Sequence, residues 1–202
     1  MKKISVTFIF FLSMVFAVVR VHAQKVLLDD DFSTNRNSWV TYSGKQNFLI
    51  YNGKLIFANT DSSLYLIPMP IALDDSKNFS VSFSTTHTDG VDNHAYGLYF
   101  GSSDLNNYYV FYIAANGFYK LAKIVNNQRN DIVDWTQTTA IKTGNYVENV
   151  LQLSKQGANW IVGINNQTLR TVPAPAFIGN KLGFTLDNVQ RVEFDNVKVT
   201  QE

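Results

Sequence analysis

Asn78-Phe79-Ser80-Val81-Ser82-Phe83-Ser84-Thr85-Thr86 alternates apolar and hydroxyl side chains. A strand points successive side chains to opposite faces, so Phe79, Val81 and Phe83 share one face and Ser80, Ser82 and Ser84 the other. This is the pattern of a half-buried antiparallel strand, apolar toward a core and polar toward water. Similar short runs rich in aromatic and β-branched residues follow at 95–101, 108–114, 118–125, 147–154, 160–165, 181–186 and 191–200. Asn52-Gly53, Asn116-Gly117 and Asn165-Asn166 stand between such runs. Asn and Gly supply the positive φ that tight hairpin turns require, so each of these pairs predicts a hairpin. No long stretch carries a capped 3.6-residue apolar period, so helix is minor. Many strands without helices pack as a sandwich or barrel, here predicted as two antiparallel sheets of about six or seven strands each in a jelly-roll sandwich.

Upstream of these strands the chain opens with Lys2 and Lys3, an apolar run from Ile4 to Val19, and Val21-His22-Ala23 before Gln24. Charged, apolar and small-residue parts in that order form a secretory signal, predicted as residues 1–23 with cleavage after Ala23. The apolar run falls short of the ~20 residues that cross a bilayer as a helix, so an uncleaved anchor is the weaker alternative, and no later stretch is apolar enough to span a membrane. The chain has no Cys, which excludes disulfides, thiolate metal sites and a lipid-modified cysteine. The expected location is therefore secreted or periplasmic, and residues 24–202 are expected to form a single domain. Cleavage removes Lys2, Lys3 and Arg20, taking 17 basic residues to 14 against 16 acidic ones, a formal charge of −2. That balance argues against a nucleic-acid partner, whose footprint is basic.

From Tyr96 onward the sequence resembles modules of the concanavalin A-like lectin/glucanase superfamily, relatives of laminin G-like domains and of the 3-keto-disaccharide hydrolase family. The resemblance is carried by Tyr96 to Gly101 (YGLYFG), Asn107 to Ile113 (NYYVFYI), Asn116 to Lys123 (NGFYKLAK), Asp134 to Gly144 (DWTQTTAIKTG), Ile164 to Leu169 (INNQTL), Lys181 to Phe184 (KLGF) and Val192 to Val199 (VEFDNVKV). Asp29 to Asn35 with Trp39 resembles the opening strand of such modules. These motifs are structural. They imply an all-β, concanavalin A-like sandwich, whereas members of the family bind sugars, adhere, sense or catalyse, and a fold does not choose among these.

Four constellations are candidates for chemistry. The glucanases of this superfamily place acidic residues on alternate positions of one strand, but the only Glu residues here are Glu148, Glu193 and Glu202. Glu193 and Asp195 are the only alternating acidic pair that includes a Glu and read as a solvated outer face. Asp30 and Asp31 of the Asp29–Asp31 run could share a structural calcium ion with Asp195 if the first and last strands pair; the plainer reading is a capped turn and a charged edge. The segment from His87 to His94, with Asp89 and Asp92, is the densest polar group, suited to a cation or a polar ligand, or else to a plain hairpin loop. Tyr99, Tyr109, Phe111, Tyr119 and Trp135 are expected to form a face that stacks sugar rings, against the alternative that they fill core. Trp135, set among Asp134, Thr136 and Gln137 in an expected loop, is the best of them for display, while Trp39 and Trp160 read as core. The function expected is an exported, non-catalytic module that binds a carbohydrate or another cell-surface polymer. The alternatives are a sugar-acting hydrolase using Asp89, His94 and Asp104, and a structural envelope protein.

Overall fold

The computed structural model describes residues 24–44 and 46–202; the signal peptide expected over 1–23 lies outside them. The strands, in chain order, are β1 (Lys25–Asp30), β2 (Tyr42–Ser43), β3 (Gln46–Tyr51), β4 (Lys54–Asn59), β5 (Tyr65–Ala72), β6 (Phe79–Gly90), β7 (Tyr96–Asp104), β8 (Asn107–Ile113), β9 (Phe118–Val125), β10 (Gln128–Gln137), β11 (Glu148–Gln156), β12 (Asn159–Ile164), β13 (Gln167–Pro173), β14 (Lys181–Leu186) and β15 (Gln190–Gln201). No helix occurs among the described residues.

The strands form two antiparallel sheets, as the alternation in β6 requires. One has six strands in the order β10-β9-β8-β7-β14-β5. The other has nine, β13-β12-β11-β6-β15-β4-β3-β2, with β1 also paired to β15. The expectation of six or seven strands in each sheet is corrected: the short β2–β3–β4 meander and β1 both extend the sheet built on β6 and β15.

Turn chemistry follows the sequence. Asn52-Gly53, Asn126-Asn127 and Asn165-Asn166 carry positive φ at both residues, the conformation that matches strand twist in a two-residue hairpin. At Asn116-Gly117 only Gly117 has positive φ, and the turn closes with the Gly117 N–H on the Ala114 carbonyl at 3.1 Å. The outer edge of the six-stranded sheet, β5, carries Pro68 and Pro70, which withhold backbone donors from any incoming strand.

Between the sheets lies one apolar core. Phe83 of β6 meets Phe184 of β14 edge-on at 5.1 Å, and Phe184 stacks on Phe194 of β15 at 4.1 Å. Trp160 is fully buried against Phe100 and Tyr109 at 5.0 and 4.7 Å. Trp39 is buried too, reached by a loop that the Asp30 carboxylate organises. That carboxylate accepts the Trp39 indole N–H at 2.8 Å, the Phe32 N–H at 2.9 Å and an Asn37 amide.

Candidate functional site

The site begins with the parity of three neighbouring strands. In β9, Tyr119 and Leu121 are buried in the inter-sheet core, so Lys120, Ala122 and Ile124 face outward. Antiparallel register then pairs Tyr108 with Ile124, Val110 with Ala122 and Tyr112 with Lys120, placing the even residues of β8 on the same outer face. Tyr99 of β7 pairs with Val110 and joins them. Its ring has room because Gly183 of β14 lies directly opposite, where a Cβ would come within 2.7 Å of Tyr99 Cε1 and clash with the Ile67 carbonyl.

Lys120 lies on an aromatic floor, 1 % exposed, and pairs with Asp131 at 2.7 Å and Asp134 at 2.9 Å. Arg129 closes the network on Asp131 at 3.1 Å. The Lys120 hydrogen bond holds the Asp134 carboxyl below its usual range. Two bulges in β10 between Asp131 and Thr136 let its side chains turn onto this face. Trp135 lands with its ring 6.3 Å from Tyr112, nearly parallel, and 5.6 Å from the Lys120 ammonium. It remains 36 % exposed. An indole held by a stack and a cation yet open to solvent is a preorganised surface.

Around this floor the rims come from the turn before β7 (Asn93, His94), the turn after β14 (Asp187, Asn188) and the β9–β10 hairpin (Asn127, Arg129). They enclose a cleft of about 390 Å³. Burial pushes the Asp187 carboxyl above its ordinary value, with the nearby His94 pulling it back down. His94 is fixed by its Nδ1, 3.2 Å from the Val189 carbonyl. Burial also raises the Tyr99, Tyr108 and Tyr112 phenols, which keeps them as neutral donors. A flat aromatic wall with hydroxyl, amide, imidazole and carboxyl groups around it can stack an apolar ring face and hydrogen-bond its substituents.

The sequence-predicted residues divide. Tyr99, Trp135 and His94 lie on this face or its rims. Tyr109, Phe111 and Tyr119 do not: they are buried between the sheets, and the expected platform is corrected because the register sets Tyr99 opposite Val110, leaving the odd residues of β8 and Tyr119 on the inner face. His87 and His94 are not brought together either. Strand β6 runs on to Gly90, so the expected loop is much shorter, and His87 is buried, stacked on Tyr96 at 5.8 Å with Nδ1 on Asn145 at 2.7 Å. Asp89 is exposed and caps its neighbour Gly90. Asp104 is spent in the β7–β8 turn, on the Asn106 N–H at 2.7 Å and the Asn107 amide.

Strands β1 and β15 do pair, yet the calcium ligand set does not converge. Asp30 is taken up by the N–H donors around Trp39, Asp31 caps Ser33 and meets Arg36, and Asp195 pairs with Lys54 at 2.8 Å. Among the described residues no group of three His, Asp or Glu could hold a metal ion. These three carboxylates do not fit a shared calcium. The site residues that the sequence reading missed are Tyr108, Tyr112, Lys120, Arg129 and Asp187.

Comparison with known proteins bears on the fold. No protein-family model and no curated protein matches the chain. The carbohydrate-binding module CBM66 from Bacillus subtilis superposes with a TM-score of 0.53 at 16% identity, over 86% of this chain and 92% of that one. A Bacillus subtilis protein of unknown function with a galectin-like fold gives 0.61 at 10% identity, over 86% and 94%. The fold is a galectin-like, concanavalin A-like jelly roll. The Emp46p carbohydrate recognition domain in its metal-free form gives 0.61 at 6% identity, over 87% and 98%. At these identities the likeness concerns the sandwich, and the site must be argued from its own residues.

Proposed function

We propose that this chain is an exported binding module whose outer six-stranded face holds a carbohydrate, free or as part of a cell-surface polymer. The observation that carries this is Trp135, open to solvent yet fixed by Tyr112 and Lys120 on the wall of a polar-rimmed cleft. Sugar rings have one apolar face and a girdle of hydroxyls, which suits an indole beside Asn93, His94, Asp187 and Asn188. Similarity to carbohydrate-binding modules supports the same reading. On a glycan array the native chain retains a defined set of glycans, and Trp135→Ala weakens the best of them at least about tenfold in calorimetric Kd, the loss of one good stacking contact. Retention of full affinity by Trp135→Ala rules out this site.

A second reading, a sugar-acting hydrolase, is favoured by Asp187, a half-buried carboxyl of raised pKa beside His94, as a proton donor would be. Its retaining form needs a second free carboxylate about 5 Å away. Asp131 and Asp134, the carboxylates engaged with Lys120, are already ion-paired. The Glu193–Asp195 pair is likewise occupied, by Arg191 and Lys54. Product analysis of the bound glycans separates the readings: intact ligand supports the binding module, cleaved ligand the hydrolase, and neither binding nor cleavage a structural role.

A further inference from the structure

The face that carries Trp135 continues beyond the polar cleft. Tyr108 on its floor meets Tyr99 edge-on at 6.1 Å, and Leu66 of β5 packs against the same cluster. Tyr99 and Leu66 then line a second cleft, of about 750 Å³, closed by Pro68, Pro70 and Ile71 of β5 and by Leu105 at the tip of the β7–β8 turn. Leu105 is 71 % exposed, a branched apolar side chain held out over an apolar hollow.

The two clefts differ in what they offer. In the second, both serine hydroxyls are already used. Ser102 donates to the Asp104 carbonyl at 2.8 Å and Ser103 to the Asp104 carboxylate at 3.0 Å. That carboxylate also accepts from the Asn106 N–H and the Asn107 amide. Of the polar lining the Tyr99 hydroxyl remains, with Asn180 and Lys181 on the rim. A cleft most of whose hydrogen-bonding groups satisfy one another gives a sugar hydroxyl little in return for its water, whereas an alkyl chain loses nothing there. An apolar hollow of this size that adjoins a polar, aromatic-walled one across the Tyr99–Tyr108 contact is shaped for a ligand that is itself half polar and half apolar.

We propose that this cleft takes the acyl or alkyl chain of a lipid-linked glycan whose sugar lies in the Trp135 cleft, an inference that rests on the glycan reading above. The chain would run from Tyr108 over Tyr99 toward Leu105. Burying one methylene is worth about fourfold in affinity, so lengthening a tail by two carbons strengthens binding by roughly fifteenfold.

The test titrates hexyl and octyl β-D-glucoside, below their micelle concentrations, into the native chain and into Leu105→Asp, Ala72→Asp and Trp135→Ala, with amide chemical shifts as readout. Both Asp substitutions fall at exposed positions and leave the core intact. The expected result is roughly fifteenfold tighter binding of the octyl compound. Shifts should spread from the strand carrying Tyr108 to Leu66 and Leu105, and the advantage of the longer tail should disappear in Leu105→Asp and Ala72→Asp. Affinity independent of tail length, or octanoate binding as tightly as octyl glucoside, overturns the proposal. So does a Leu105-dependent dimer in sedimentation, which would make a second copy the occupant. If tail length matters but Trp135→Ala changes nothing for any glycan, it is the sugar reading that fails. If Trp135 matters and tail length does not, the sugar reading stands and this inference falls.

Discussion

Outside the nine-stranded sheet, the side chains over β6, β11 and β12 include Ser80, Gln152 and Ser154, with Gly163 between them. Outside the six-stranded sheet they are Tyr99, Tyr108, Tyr112, Ile124 and Trp135. Both sheets bury their inner faces in the same core, so the first shows that folding is complete with small polar groups on the outside. The aromatic surface of the second is therefore more than the sandwich needs. A single ring held open to water, Trp135, above a floor of buried tyrosines marks that face for a ligand.

The sharpest way to test this contrast is a pair of identical changes, one on each face. Gly183→Ala drives a methyl against the Ile67 carbonyl and the Tyr99 ring. It should lower unfolding free energy by about 2–3 kcal/mol in urea titrations, as overpacking does. Gly163→Ala meets its nearest neighbour at 3.0 Å and the Gln152 side chain at 3.6 Å, and should cost under about 1 kcal/mol. Equal costs would mean that the aromatic face is no more tightly built than the serine face.

A smaller effect is expected at Lys120. Lys120→Met keeps the packed stem but removes the charge that holds Trp135, and should cost about 0.5–1 kcal/mol. Iodide quenching of tryptophan fluorescence should rise, since Trp39 and Trp160 are buried and only Trp135 can respond. Unchanged quenching would show that Tyr112 alone positions the indole.

Asp187 gives a pH signature. Its folded pKa is raised above the unfolded value, so its contribution is fully present below the ordinary 3.8 and is lost as pH rises through the folded value. Asp187→Asn should therefore melt higher than the native chain at neutral pH, with the difference vanishing below 3.8. A difference that persists in acid would assign the effect to something other than ionisation. The smallest effect belongs to the serine face: Ser82→Ala should change stability by no more than about 0.5 kcal/mol and leave glycan affinity untouched. A loss of affinity there would place the ligand on the wrong sheet.

How much of this was legible depended on range. The strict alternation in β6 and the Asn-Gly and Asn-Asn turns are local signals, and the all-β sandwich follows from them. Parity in β8 was harder, because Tyr108 to Ile113 is apolar at every position and both faces read as core. The lysines of β9 do not settle it, because Lys120 lies on the outer face and Lys123 on the other, its ammonium over the Tyr109 ring, so the parity emerges only from the register. The bulges that turn Trp135 onto the face leave no mark in composition, and its segment read as a loop. Arg129 and Asp187 lie far from each other in sequence and meet only through the strand order of the six-stranded sheet.

The pairing of β1 with β15 brings Lys25 opposite Gln201, so the two ends of the described chain leave side by side from one edge of an antiparallel ladder. A tension applied between those ends loads the β1–β15 hydrogen bonds one at a time, as a zipper, and not all together in shear. The domain should yield to pulling at low force by shedding β1, while β7 to β10, which carry the Trp135 cleft, lie in the other sheet and outside the load path. A ligand in that cleft would thus stay gripped while β1 peels away.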